Sequence, residues 1–308
     1  MKIFVTLVSL LFSAILYATP LNKVVVFGDS LSDNGNLYEY MKHQLPVSPP
    51  YFDGRFTNGY VWVELLMQSY YPANSNEHLL DYAFGGAGVM DNDDDEGLFT
   101  LRREIDSYFL AHEDKADDRS LYIVWIGSNN YLGAPDDGDA VVNEVNSGVR
   151  HSLERLVKKG AKHVMVVTLP DLGNTPAARD FDSVSTMSYL SQQHNKMLEK
   201  NINELQSLYP ETQWIFFEVN QVLEDIMANP KFYGFTNVKD TCYEEVMDNS
   251  LSKKYSILKM VASVKSRKNK NACDGYLFFD PVHPTEPVHQ LMAERTKVLL
   301  EENGIVFE

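Results

Sequence analysis

Ser30 stands in the stretch VVVFGDSLSD, Val24 to Asp33, where an apolar run stops at a glycine and the chain turns through an acid and two serines. Gly, Asp and Ser are ordinary turn formers. A serine thrust out of a tight strand-to-helix turn is also where several hydrolases keep a nucleophile. Near the other end, FFDPVHP sets Asp280 and His283 three residues apart, so that one turn can hold an acid against an imidazole. GSNN offers the side-chain amides of Asn129 and Asn130, and YAFGGAG supplies Gly85, Gly86 and Gly88, where a backbone N–H can approach a ligand with no Cβ in the way. Taken singly, a glycine pair is a turn, an Asp-x-x-His a helix cap or surface pair, and a loop Asn a backbone cap. Taken together they are nucleophile, base, orienting acid and oxyanion donors, the full set for acyl transfer.

Such groups need a frame that brings them to one place. KVVVF from Lys23, LYIVWI from Leu121, HVMVVTL from His163 and WIFFEV from Trp214 are nearly all apolar, as strands covered on both faces are. Helical patterns lie between them, the clearest being Asp139 to Lys159, stopped by Gly160, and Val184 to Leu208, stopped before Pro210. A closing helix from Pro287 to Asn303 carries Leu291, Met292, Val298 and Leu299 on one side, with Gly304 beyond its end. Alternation of this kind predicts a parallel sheet with crossover helices, and ligands of such sheets bind at the carboxyl ends of the strands. Ser30 and Asn129 each follow one of those ends.

At 308 residues, 44% hydrophobic and 23% charged, the chain suits one large α/β domain, and no Pro/Gly/Ser-rich linker divides residues 19–308. A formal charge of −16 disfavours nucleic acid and attraction to an anionic membrane surface. Residues 1–18 place one Lys ahead of a short apolar run and then small residues, the layout of a secretory signal peptide, too short for a stable membrane span. The expectation is an exported protein, extracellular or periplasmic, in which Cys242 and Cys273 form one disulfide. Lys231 to Asn271 shows no strand or helix period and reads as an exposed insertion tethered around 242–273. Its Lys253, Lys254, Lys259, Lys265, Arg267, Lys268 and Lys270 make a basic loop that a secreted protease could nick, with a change in activity as the expected result. DNDDDEG, Asp91 to Gly97, lacks the glycine and glutamate that a calcium loop needs at its sixth and twelfth places and reads as a solvated acidic loop. There is no G-x-S-x-G elbow, Walker A loop or paired zinc-ligand motif, so neither a cofactor nor a metal is expected.

FGDSLSD, the glycine of FGGAG, GSNN and DPVH resemble blocks one, two, three and five of the SGNH, or GDSL, hydrolase family, over nearly the whole chain beyond residue 18. More narrowly the chain is similar to the bacterial secreted lysophospholipase A branch, which includes glycerophospholipid:cholesterol acyltransferases. The resemblance implies a flavodoxin-like α/β/α sandwich with a five-stranded parallel sheet. It implies Ser30 as nucleophile, His283 as general base and Asp280 as its orienting acid. The implied oxyanion hole is the backbone N–H of Ser30, the backbone N–H of Gly85 and the side-chain amide of Asn129, with Gly86 replacing Gly85 if the loop register differs by one. Asn130 stands where the family has Asp, a departure expected to alter local hydrogen bonding more than catalysis. The substrate implied is a lysophospholipid or another acyl-ester lipid, with Tyr38, Tyr40, Tyr51, Phe52 and Phe56 as candidate walls of an acyl pocket. Acyl transfer to an alcohol, broader phospholipase A or lipase activity, and lipid binding without catalysis are the other readings.

Overall fold

Unbroken apolar runs become strands here because both faces of the sheet are covered. β1 (Lys23–Gly28), β3 (Ser120–Trp125), β4 (His163–Val167) and β5 (Gln213–Phe217) overlap the runs read as strands with ends shifted by a residue or two, and Val24, Val25, Val26 and Phe27 of β1 are fully buried. Each such side chain contributes about 1.5–3 kcal/mol relative to leaving it in water. A fifth strand, β2 (Leu79–Asp81), adds three residues on the far side of β1. All pairings are parallel and the order is β2-β1-β3-β4-β5, the flavodoxin-like winding expected. The molecule is a computed structural model, and residues 20–89, 99–243 and 273–308 are described. The signal-peptide segment 1–18, the acidic loop 91–97 and the basic loop from Lys253 to Lys270 lie outside the described residues.

Reversal of winding direction between β1 and β3 puts helices on both faces. Helix α1 (Asn36–Tyr40) follows the first strand; α2 (Trp62–Tyr70) packs against α9 (Glu286–Glu302) on one face. On the other, α5 (Gly138–Lys158) packs between α3 (Leu101–Ala111) and α7 (Val184–Leu208). Two short helices, α4 (Ser128–Tyr131) and α6 (Pro176–Asp180), sit beyond strand ends, and α8 (Val219–Ala228) follows β5. Gly28 and Trp125 are register partners at the ends of β1 and β3. The residues after them therefore emerge side by side, at the point where an open α/β sheet binds its ligand.

The stretch from Lys231 is not wholly irregular. β6 (Asn237–Thr241) pairs in parallel with β7 (Tyr276–Phe278), and a disulfide joins Cys242, the residue after β6, to Cys273, three residues before β7. NVKDT holds one apolar residue and stays largely exposed, so neither alternation nor an apolar run marks it as a strand.

Candidate active site

Past β1 the chain closes one helical turn: the N–H groups of Ser32 and Asp33 each donate to Asp29 O at 3.0 Å, and Leu31 N–H donates to Asp29 Oδ1 at 3.1 Å. Gly28 admits this turn because a Cβ there would stand 2.5 Å from Trp125 O. Trp62 Nε1–H donates to Ser32 Oγ at 3.1 Å and ties the turn to α2. Ser30 is left at the bend with its Oγ 2.7 Å from His283 Nε2.

The partner turn follows β7. Asp280 Oδ1 accepts the backbone N–H groups of Val282 and His283 at 2.9 and 2.7 Å, which fixes the carboxylate plane. Its Oδ2 then faces His283 Nδ1 at 2.6 Å. With the Nδ1 proton on the carboxylate side, Nε2 is the bare nitrogen that accepts from Ser30 Oγ–H. Burial by itself would push the Asp280 carboxyl up, but the charge and hydrogen bond of His283, Tyr51 and the Val282 N–H hold it below the ordinary carboxylate range. Tyr51 O–H donates to the same Oδ2 at 2.6 Å, a contact between residues far apart in sequence that no local pattern announces. Phe56 lies 5.2 Å from the imidazole, centroid to centroid, and covers it.

Around the serine, the two expected donor loops are placed differently. Asn129 Nδ2 donates one hydrogen to Ala87 O at 2.8 Å, and its side chain borders the same cleft as Ser30. Gly85 N–H is taken up: it donates to Asp33 Oδ2 at 2.7 Å, and Asp33 also accepts from the N–H groups of Gly35, Asn36 and Leu37. One buried carboxylate thus joins the Ser30 turn to the glycine loop. The neighbouring Gly86 N–H has no partner among the described residues. Asn130 Oδ1 accepts from Val89 N–H at 3.0 Å and its amide rests against Gly88.

Ser30, His283 and Asn129 open onto one cleft. The candidate acyl-pocket aromatics do not line it: Tyr51 and Phe56 are buried with Phe279 behind the imidazole, and Tyr40 stacks edge-on against Phe99. Its apolar walls come from Leu223, Met227, Leu277, Phe278 and Met292 instead. Among the described residues no helix is long and apolar enough to cross a membrane.

Residues 24–296 match the family model for GDSL-like lipase/acylhydrolase. The chain belongs to that family. A phosphatidylcholine-sterol acyltransferase of Aeromonas hydrophila is 29% identical over 311 residues, covering 91% of this chain and 90% of the relative. The thermolabile hemolysin of Vibrio parahaemolyticus is 28% identical over 283 residues, covering 89% of this chain but only 63% of the hemolysin. Among solved structures, the inhibitor-bound aryl esterase of M. smegmatis superposes with a TM-score of 0.48 at 14% identity, covering 91% of this chain and all of that one. As a GDSL acylhydrolase the protein is a carboxylic ester hydrolase.

This GDSL acylhydrolase carries several buried titratable groups around its first strand. Burial lifts Glu104 and Asp81 well above the ordinary carboxyl range and Asp29 to about 6. Glu104 Oε2 accepts Gly28 N–H at 2.8 Å, while its Oε1 has no partner among the described residues. Burial pushes His194 and His289 down to about 3. A raised carboxyl favours folding most when protonated and loses that contribution as pH rises through its folded value; a lowered imidazole loses its contribution as pH falls below the unfolded value of 6.5. Between 4.5 and 6.5 the two oppose each other; above that window the raised acids act, and below it the histidines and the lowered carboxyls, Asp280 among them. The melting temperature is therefore expected to be highest inside that window and to fall on both sides. A melting temperature still rising between about pH 6.5 and 8 would contradict these assignments.

Proposed function

We propose that this acylhydrolase cleaves the acyl ester of lysophospholipids through an acyl-enzyme on Ser30. The observation that supports it most is the hydrogen-bonded series Ser30 Oγ, His283 Nε2, His283 Nδ1 and Asp280 Oδ2 opening onto a cleft with apolar walls. His283 takes the Ser30 proton as Oγ attacks the ester carbonyl, and Asp280 stabilises the imidazolium. His283 then gives that proton to the departing alcohol oxygen. Water, deprotonated by the same imidazole, attacks the acyl-enzyme and releases fatty acid. The Ser30 N–H and the second hydrogen of Asn129 Nδ2 meet the oxyanion, and Gly86 N–H is the uncommitted donor of the glycine loop.

Acyl transfer is the second reading, favoured by the likeness to the Aeromonas acyltransferase. It requires only that an alcohol outcompete water for the acyl-enzyme. Export fits the Cys242–Cys273 disulfide, a bond that persists in oxidising compartments, together with the character of residues 1–18. The test offers the purified protein lysophosphatidylcholine, a diacyl phospholipid and cholesterol together, with products read by mass spectrometry. Free fatty acid chiefly from the monoacyl lipid is expected. Cholesteryl ester as the main product would replace this reading with acyl transfer, and fatty acid chiefly from the diacyl lipid would replace it with phospholipase.

A further inference from the structure

Helix α8 carries one broad apolar face, Val219, Val222, Leu223, Ile226 and Met227, at the spacing of a helix lying on a core, and one edge of that face reaches past the core to the cleft. Val219 and Ile226 are buried and Val222 packs with them against the main core. Asn220, Leu223, Glu224 and Met227 recur at spacings of three and four, the repeat of one helix face, and all four border the cleft. Leu223 and Met227 are only half-buried, so part of their apolar surface faces open space. The start of this helix is pinned: Thr168 Oγ1–H donates to Asn220 Oδ1 at 2.7 Å, beyond the end of β4. It is a fixed wall at the sheet edge where Ser30 lies. Leu277 and Phe278 of β7 and Met292 of α9 share the lining, and Val282, beside His283, continues it to the reacting atoms.

We propose that the cleft-side edge of this face, Leu223 and Met227, is the acyl-chain wall and sets the length of chain the cleft accepts. The proposal rests on ester cleavage at Ser30. Once Oγ attacks, the carbonyl carbon is fixed and its two substituents must diverge. The leaving alcohol is polar and needs water; the acyl chain needs apolar contact, which the α8 side supplies. No Lys or Arg lines the cleft among the described residues, so its walls offer no cation to an anionic group; the charged side chains there are Asp29, Asp171 and Glu224.

Each methylene kept from apolar contact costs roughly fourfold in relative kcat/KM. A Leu223→Trp variant, by filling the space of about three methylenes, is therefore expected to lower the ratio of kcat/KM for p-nitrophenyl decanoate over butyrate on the order of 50-fold. Leu223→Ala should move the same ratio the other way for laurate over decanoate, and it guards against failure of the tryptophan variant to fold. A Met227→Trp variant should act in the direction of Leu223→Trp. Wild-type ratios in all three variants would overturn the assignment of α8 while leaving Ser30 chemistry intact. Butyrate hydrolysis that survives Ser30→Ala would instead overturn the reading on which the assignment rests.

Discussion

Replacing Ser30 with alanine is expected to abolish ester hydrolysis, by at least about 10⁴ in kcat, without unfolding the protein. The turn that presents the residue is built by other atoms, the backbone and side-chain oxygens of Asp29 with the N–H groups of Leu31, Ser32 and Asp33. Ser30 Oγ itself engages His283 Nε2 at the floor of an open cleft, so water can replace the hydroxyl when it is deleted. Ser32 cannot stand in for it. Its Oγ is fully buried and accepts the Trp62 indole N–H. Ester turnover of the purified variant, set beside its melting curve, checks the expectation. Hydrolysis within tenfold of wild type in a folded variant would remove Ser30 from the mechanism.

The parts of the fold that were legible in the sequence are those where one local pattern has one structural solution. β1, β3, β4 and β5 are covered on both faces and read as continuous apolar runs; Val184–Leu208 was bounded correctly because Pro210 leaves a helix nowhere to go. β2 is three residues long and β6 is mostly polar, and each becomes a strand only through its neighbour. α8 was not legible because it starts at Val219, the last residue of the run WIFFEV read as a strand, so its apolar face merges with that run. At the site the Ser, His and Asp declared themselves through the turns around them. Tyr51 and Asp33 did not, since their roles depend on partners from distant parts of the chain: Asp280 for one and Gly85 for the other. That second contact is also what decides which glycine N–H remains uncommitted. Sequence spacing carried no information on it.

Asp280→Asn is expected to lower kcat by about 10⁴ with the fold intact, and the reason lies in how the carboxylate is held. Oδ1 accepts two backbone N–H groups, from Val282 and His283. An asparagine of the same shape must keep its carbonyl oxygen there, because an NH₂ group would point its hydrogens at theirs. Its NH₂ then occupies the Oδ2 position, facing His283 Nδ1 and Tyr51 O–H. The imidazole can meet that donor only by accepting at Nδ1, which moves the ring proton to Nε2. Nε2–H would then point at Ser30 Oγ, and the ring could no longer take the serine proton. The loss comes from the wrong tautomer, so it should appear in kcat on a butyryl ester while the melting temperature stays within a few degrees. A shift in His283 ring-nitrogen signals by NMR from the Nδ1–H to the Nε2–H form would show the cause directly. Near-wild-type kcat in this variant would mean that Asp280 does no more than shape its turn.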